Sequence, residues 1–178
     1  MTMFLDGAVA DSERFSVVFD IHYEEIRRYI GRRLDLDIAE DLAAETFLIA
    51  FRQRDRFDAA RGGVRPWLYG IATNLIGRHR RAELRRYRAL ARSGPPAAVD
   101  GHDQRVADQV SARVTVGKLS AALAALPRGE RDVVLLVAYG RLTYDEVAAA
   151  LGVAYGTVAS RLSRARTKLR EALGVEVW

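Results

Sequence analysis

The stretch from Thr143 to Gly152 constrains this chain more than any other, because it has the marks of a short helix at both ends. Thr143 and Glu146 have the spacing of a capping box, in which each side chain bonds the other residue's backbone amide. Gly152 lies where the helix must end in a left-handed conformation, which glycine adopts without a Cβ penalty. Ala148 is small enough to let another helix cross closely. The stretch therefore predicts the first helix and the turn of a helix-turn-helix.

The segment after this turn predicts a second helix with one apolar face and one basic face. Its apolar residues recur at spacings of four, three, four and three, which makes one buried stripe. They are Val158, Leu162, Ala165, Leu169 and Ala172. Between Tyr155 and Leu173 there are five lysines and arginines and one acid. A solvated cationic helix would explain the charge alone, but the capped partner helix favours insertion into a DNA major groove.

Composition excludes several other kinds of chemistry. The 178 residues include no cysteine, which excludes a disulfide framework and a thiolate metal site. The three histidines are scattered without metal-ligand spacing, and no glycine-rich phosphate loop is present. No signal peptide is recognisable, and no apolar stretch approaches the ~20 residues that cross a bilayer. We therefore expect a cytoplasmic protein that is not an enzyme, holds no metal or cofactor and does not insert into membranes.

Charge is distributed unevenly along the chain. The net charge is +5, but residues 1–51 carry −6, residues 52–88 carry +8 and residues 118–178 carry +3. There are thus two separate basic patches, each beside a less basic or acidic surface. A protein that only coats nucleic acid would be basic throughout.

The first half of the chain predicts two helices before its basic patch. Apolar residues spaced four, three, four and four apart predict an amphipathic helix from about Val17 to Leu34 with one buried stripe: Phe19, Tyr23, Ile26, Ile30 and Leu34. Asp37 and Glu40 have the capping-box spacing and are expected to open a second helix. That helix is predicted to end at about Arg54, before a loop.

A third helix carries most of the positive charge. Pro66 suits its first turn, where a missing amide costs nothing. Five apolar residues give it a buried side: Trp67, Leu68, Ile71, Ala72 and Leu75. The arginines that crowd its second half, up to Arg88, complement the helix dipole.

A break separates the two halves of the chain. The run Ser93-Gly94-Pro95-Pro96 predicts a flexible linker, and a helical pattern resumes near Arg105. Pro127 ends that helix, and another buried helix is predicted from Val133 to Tyr139. No strand-like alternation is evident. The fold class is therefore all-α, with two small helical domains and a helix-turn-helix in the second. The predicted boundaries are 12–88 for the first domain, 89–115 for the linker and 116–174 for the second domain.

Three motifs, in the order in which they follow one another along the chain, resemble the extracytoplasmic-function (ECF) group of bacterial RNA polymerase sigma factors. Residues 39–47 (AEDLAAETF) are similar to the family's polymerase-binding helix. Residues 67–75 (WLYGIATNL) are similar to the helix that reads the promoter −10 element. Residues 126–166 are similar to the domain that reads the −35 element. The resemblance makes the domain at 12–88 region 2-like and the domain at 116–174 region 4-like.

The resemblance implies core RNA polymerase, through its β′ coiled coil and β flap, and promoter DNA as partners. Contacts with core polymerase are implied for Glu40, Asp41, Leu42, Glu45 and Phe47. Binding and melting of the −10 element are implied for Arg65, Trp67, Asn74, Arg78, Arg80 and Arg81. Recognition of the −35 element is implied for Thr157, Ser160, Arg161, Ser163, Arg164 and Lys168. Many relatives are also controlled by an anti-sigma factor, and the sequence leaves open whether this chain has one.

Three positions depart from the family's usual residues. Ala44 replaces a glutamine, and Arg78 lies where aspartate is common and adds to the basic patch. Ala154 replaces a serine or proline before the recognition helix, and an alanine N-cap should weaken that helix by ~0.5–2 kcal/mol.

Two other functions compete with the sigma factor. An ordinary helix-turn-helix regulator would need a dimer seam or ligand pocket upstream, where residues 52–88 instead form a basic patch. An enzyme acting on nucleic acid would need a nucleophile, a metal or a phosphate loop, and adjacent Glu24 and Glu25 diverge too far to serve as an acid/base pair.

Overall fold

The computed structural model describes residues 15–92 and 110–174, and every regular element in these residues is helical. Two short 3-10 turns, at 54–56 and 59–61, separate the second and third α-helices. The α-helices are α1 (Phe15–Gly31), α2 (Leu36–Gln53), α3 (Val64–Arg92), α4 (Val110–Ala125), α5 (Arg128–Ala138), α6 (Tyr144–Leu151) and α7 (Tyr155–Leu173). The predicted all-α fold class is confirmed.

Helix α1 begins two residues earlier than predicted and ends at Gly31. Its inner row contains Val18, His22 and Ile26, so the buried face is centred one residue before the predicted stripe. Phe19, which was expected in that stripe, is 39% exposed at the edge of the face. After Gly31 the amides of Arg33 and Leu34 both bond the Ile30 carbonyl, at 2.8 and 3.0 Å, and this tightened turn leads the chain towards α2.

The capping box predicted for Asp37 and Glu40 is wrong. Helix α2 begins at Leu36, and its N-cap is Asp35, whose side chain makes no capping hydrogen bond. The Ala39 amide already bonds the Asp35 carbonyl at 2.9 Å, which sets the helix register two residues earlier. Asp37 therefore lies in the first turn, where its charge favours the positive end of the helix dipole.

Helix α3 is longer than predicted. Pro66 lies in its first turn, as expected. The helix continues past Arg88 to Arg92, because Ala, Leu and Arg are all strong helix formers. Residues 89–92 and 110–115, which were predicted as linker, are therefore helical. Outside the described residues lie the predicted domain start at 12–14, the central linker at 93–109 and the resumption of helix near Arg105.

The helix-turn-helix forms as predicted. The Thr143 amide donates to Glu146 Oε2 at 2.8 Å, and the Glu146 amide donates to Thr143 Oγ1 at 3.3 Å. Gly152 is left-handed, with φ at 63°, and its amide bonds the carbonyl of Ala149 at 3.3 Å. The next helix begins after Ala154, which offers no side-chain cap. This start of α7 therefore lacks the hydrogen bond that serine would supply.

The buried stripe of α7 follows the prediction for most of its length. Its members Val158, Leu162 and Ala165 are buried, and Leu169 is half-buried. Ala172 is exposed, so the prediction is wrong at that position. Leu173 takes the inward place instead, because it lies four residues after Leu169.

The two halves of the chain pack directly against each other, which the sequence did not predict. Their buried apolar residues form one continuous cluster. At the junction, α3 meets α6 so closely that a Cβ on Gly70 would lie 2.3 Å from the Ala150 carbonyl oxygen. Backbone-to-backbone approach of this kind requires glycine. A Cβ on Gly140 would lie 3.0 Å from the ring of Tyr69, so the second half also approaches a side chain of α3 closely.

Candidate nucleic-acid interface

One exposed face of α3 carries a row of polar and basic side chains. Asn74, Arg78, Arg81 and Arg85 are spaced four, three and four apart and are all exposed. Three of these arginines line a groove of about 310 Å³ between α2 and α3, with Glu45 also at its edge. The groove is open and mostly cationic, so it can follow a phosphate backbone.

The other residues predicted to bind the −10 element lie elsewhere. The guanidinium of Arg65 is 3.1 Å from the Glu25 carboxylate and donates to the Gly140 carbonyl at 2.6 Å. Arg80 donates to the Arg33 carbonyl at 2.8 Å, and burial is the main cause of its lowered pKa. Trp67 is partly buried, packed against the core. Of the six residues, the structure brings Asn74, Arg78 and Arg81 together on one open face.

The five residues predicted to bind polymerase divide into an exposed pair, a buried pair and one half-buried residue. Glu40 and Asp41 are exposed on α2, while Glu45 is half-buried at the groove. Leu42 and Phe47 are 8% and 4% exposed. These two side chains belong to the core and hold α2 in place, and the acidic pair presents the surface.

The exposed face of α7 carries most of the residues predicted to read the −35 element. Ser160, Ser163, Arg164 and Lys168 are exposed, and Thr157 is half-buried. Arg161 is also half-buried and lies across Gly129 of α5, within 3.3 Å of where a Cβ would be. The hydroxyl of Ser160 donates to the Thr157 carbonyl at 3.1 Å.

Glu130 of α5 restrains two of these side chains. Its carboxylate lies 3.1 Å from Arg164 Nε and 2.8 Å from Lys168 Nζ. The hydrogen bond from Lys168 is the main cause of the lowered pKa of Glu130. Sequence reasoning missed this residue, because no periodicity shows which helix a lone acid in a first turn will face. The one available signal was an acid at the start of an apolar helix that precedes a basic one.

The described ranges, 15–92 and 110–174, contain neither a metal site nor a helix that could cross a membrane. No group of three or more His, Cys, Asp or Glu side chains there could hold a metal ion. No helix in those ranges combines the length and the apolar character needed to cross a membrane.

Known proteins share both halves of this arrangement. The model of sigma-70 region 2 matches residues 18–86, and that of sigma-70 region 4 matches residues 117–169. The ECF RNA polymerase sigma factor SigC of Mycobacterium tuberculosis is 32% identical over 167 residues, covering 93% of this chain and 86% of SigC. This chain belongs to the ECF group of the sigma-70 family. The ECF sigma factor SigW of Bacillus subtilis is 31% identical, over 92% of this chain and 90% of SigW.

Solved structures of sigma factors share the fold. RpoE of Bartonella quintana, solved with the anti-sigma factor NepR, has a TM-score of 0.65 at 25% identity, over 92% of this chain and 98% of RpoE. CnrH, solved with the cytosolic domain of CnrY, has a TM-score of 0.63 at 25% identity, over 99% of both chains.

This sigma factor directs promoter-specific initiation of transcription by RNA polymerase. Its partners are therefore core RNA polymerase and promoter DNA. Sigma factors are initiation factors, and their family is not one of enzymes. Membership of the family removes the alternative of an ordinary helix-turn-helix regulator.

Proposed function

We propose that the two halves of this sigma factor act at two promoter elements in the cytoplasm. The region 2-like part, residues 12–88, binds core polymerase and the −10 element. The region 4-like part, residues 116–174, reads the −35 element, and residues 89–115 connect them. The observation that carries the proposal is the pair of exposed basic faces, one on α3 and one on α7, each on a separately matched sigma-70 region.

The open row on α3 supports contact with the −10 strand. Arg78, Arg81 and Arg85 line the groove between α2 and α3 and can hold a phosphate backbone along it, and Asn74 lies on the same exposed face of α3. Arg65, Trp67 and Arg80 lie off this row, and each is engaged with neighbouring protein groups. Single-stranded nucleic acid is bound in this way, by a cationic groove that follows its backbone.

The recognition helix α7 supports contact with the −35 element. Arg164 is exposed enough to make a bidentate contact with a guanine edge, and Lys168 suits phosphate. Ser163 is exposed and can donate to phosphate or base, whereas Ser160, on the same side of the helix, can do so only by giving up its bond to the Thr157 carbonyl. Thr157 and Arg161 are half-buried, so they position α7 more than they reach outward.

The acidic pair on α2 supports docking on polymerase. Glu40 and Asp41 are exposed, and the resemblance to the family assigns them to the β′ coiled coil of core polymerase. Arg27 lies 3.9 Å from the Glu40 carboxylate, a distance that leaves this charge largely available. The β flap is assigned to the region 4-like part.

An anti-sigma factor is a further proposed partner. RpoE was solved in complex with the anti-sigma factor NepR, and CnrH in complex with the cytosolic domain of CnrY. Each match covers more than nine-tenths of this chain, which supports a partner of the same kind for this protein.

The test is transcription by core polymerase supplied with this protein and a promoter library. We expect transcripts whose start sites share a two-part motif. Asp41→Arg should lower affinity for core polymerase at least tenfold, because it reverses a charge at the docking surface, while Asp55→Arg, an exposed residue outside α2, should not. Start sites that share only one of the two elements would overturn the proposal that each half acts at its own promoter element.

A further inference from the structure

A cavity of about 350 Å³ lies where the two halves of the molecule meet. Both halves contribute to its wall: α1 and α3 from the first half, and the end of α5 with the following turn from the second. Its charged lining consists of Glu25, Arg28, Arg32, Arg65 and Arg141. Four guanidinium groups thus face one carboxylate, which leaves the wall strongly cationic.

Two of these arginines have no acidic partner. Within residues 15–92 and 110–174, no carboxylate lies within 4.0 Å of the guanidinium of Arg32 or of Arg141. Arg32 instead lies over the ring of Tyr139, 4.8 Å from its centroid. Arg141 has a φ of 50°, a left-handed backbone that costs free energy for any residue except glycine. The chain therefore keeps an arginine at a strained position on the cavity wall.

The other two arginines are held in place. Arg65 is fixed by Glu25 and by the Gly140 carbonyl, at 3.1 and 2.6 Å. Arg28 donates to the backbone carbonyl of Glu24 at 3.2 Å and lies 3.6 Å from the Glu24 carboxylate. Guanidinium groups that are already oriented lose less freedom when an anion arrives.

The back of the cavity supplies a neutral donor. Tyr69 is 2% exposed, and burial raises its pKa to about 12. The phenol therefore keeps its proton at neutral pH and can donate a hydrogen bond. Phenols and guanidinium groups together form a wall of donors, which suits a ligand made of acceptors.

We propose that this cavity binds a small anion that carries two adjacent phosphate groups. The volume lies at the lower end of the range for small-molecule sites, about 300–1,000 Å³. An α-helix of a partner, about 10–12 Å across with its side chains, is too wide to enter. Two neighbouring phosphates place acceptor oxygens towards both the free pair, Arg32 and Arg141, and the fixed pair, Arg28 and Arg65.

Such a ligand would hold the two halves together. Since α1, α3 and the turn before α6 all touch it, the packed arrangement binds it better than a separated one. On the proposed function, the two DNA-binding surfaces must reach promoter elements about 25 base pairs apart, roughly 85 Å at 3.4 Å per base pair. In the packed arrangement α3 and α6 touch, and a compact chain of 178 residues has a radius of gyration of only about 16 Å. The packed halves therefore fall short of that distance, and the anion would oppose initiation.

The experiment is calorimetric titration of the full chain with inorganic pyrophosphate, at constant ionic strength and without divalent metal. We expect one site per chain and a rise in melting temperature. Orthophosphate should bind at least tenfold more weakly. A nucleoside diphosphate tested in parallel shows whether the free anion or a nucleotide is preferred, and tighter binding of either supports the site.

Variants locate the site. Arg32→Gln with Arg141→Gln should weaken pyrophosphate binding at least tenfold, and the matched control, Arg86→Gln with Arg88→Gln on exposed α3, less than twofold. If the first variant loses its helical circular dichroism, Arg32→Gln alone carries the test, because Arg32 is an exposed side chain.

Three results would overturn the proposal. Equal losses in the cavity variant and the control would show general attraction of anions. Orthophosphate binding as tightly as pyrophosphate would remove the two-phosphate requirement. If unrelated duplex DNA displaces pyrophosphate, and the cavity variant binds that DNA more weakly than the unchanged protein does, these arginines contact the DNA backbone instead. None of these measurements uses polymerase, so failure here leaves the proposed function standing.

Discussion

Two carboxylates on α5, two residues apart, face opposite parts of the molecule. Asp132 points to the first half of the chain, where its carboxylate meets Arg33, and both side chains are under 8% exposed. Glu130 points to α7, where its partners Arg164 and Lys168 remain 55% and 46% exposed. One carboxylate thus joins the two halves, and the other restrains side chains of the recognition helix.

The difference shows that the solvent exposure of the paired side chains decides whether an ion pair stabilises the fold or remains open to other partners. A buried pair is costly to break, because removing one member leaves the other charge without water or partner. Pairs with exposed members contribute little to stability and are easily exchanged for other partners. Asp132 is therefore expected to govern the packing of the halves, and Glu130 to govern how α7 meets DNA.

The largest effect is expected from Asp132→Ala. It leaves Arg33 buried without its carboxylate and should lower the free energy of unfolding by about 3–5 kcal/mol. Chemical denaturation measures this, with Asp55→Ala as the exposed control. The double variant Arg33→Met with Asp132→Leu should recover most of the loss, because no charge is then buried. A loss below about 1 kcal/mol for Asp132→Ala would show that the pair is not the link between the halves.

A smaller effect is expected from Gly70→Ala at the same junction. The new Cβ would lie 2.3 Å from the Ala150 carbonyl oxygen, so the helices must move apart. We expect a loss of about 1–3 kcal/mol in the free energy of unfolding. Gly117→Ala is the matched control within α4, because a Cβ there meets nothing within 4 Å and should stabilise the helix by about 0.5–1 kcal/mol. Similar behaviour of the two variants would mean that the junction is loose.

The smallest effect on stability, and the clearest on DNA, is expected from Glu130→Gln. Losing the carboxylate frees Arg164 and Lys168, so affinity for unrelated duplex DNA should rise several-fold. Each added phosphate contact steepens the log–log dependence on salt by ~0.9. Fluorescence anisotropy at several salt concentrations measures both quantities, with Glu171→Gln on α7 as the control. An unchanged slope would mean that Glu130 does not compete with phosphate for these cations.

Local sequence patterns predicted the elements whose causes are local. The capping box at Thr143 and the left-handed Gly152 depend on residues a few positions apart, and both formed. The box at Asp37 failed because the turn that closes α1 set the register of α2 first. The end of α3 was placed too early, since helix-forming residues continue to Arg92.

The candidate site was predicted as a set of residue types but not as a surface. Helical spacing explains why Asn74, Arg78 and Arg81 share a face. It could not show that Arg65 bonds Gly140, 75 positions away, because this contact depends on how the halves pack. The partners of Glu130 were hidden for the same reason. Motif resemblance supplied the roles, and packing decides which side chains are available for them.

Footprinting of promoter DNA bound by core polymerase and this sigma factor tests most directly whether its two basic faces act at separate elements. Arg78→Ala with Arg81→Ala should lose protection over the −10 element and keep it over the −35 element. Arg164→Ala with Lys168→Ala should do the reverse. The assignment of α3 and α7 to different elements is contradicted if each double variant weakens protection of the −10 and −35 elements equally. It is also contradicted if neither double variant changes the protection of either element.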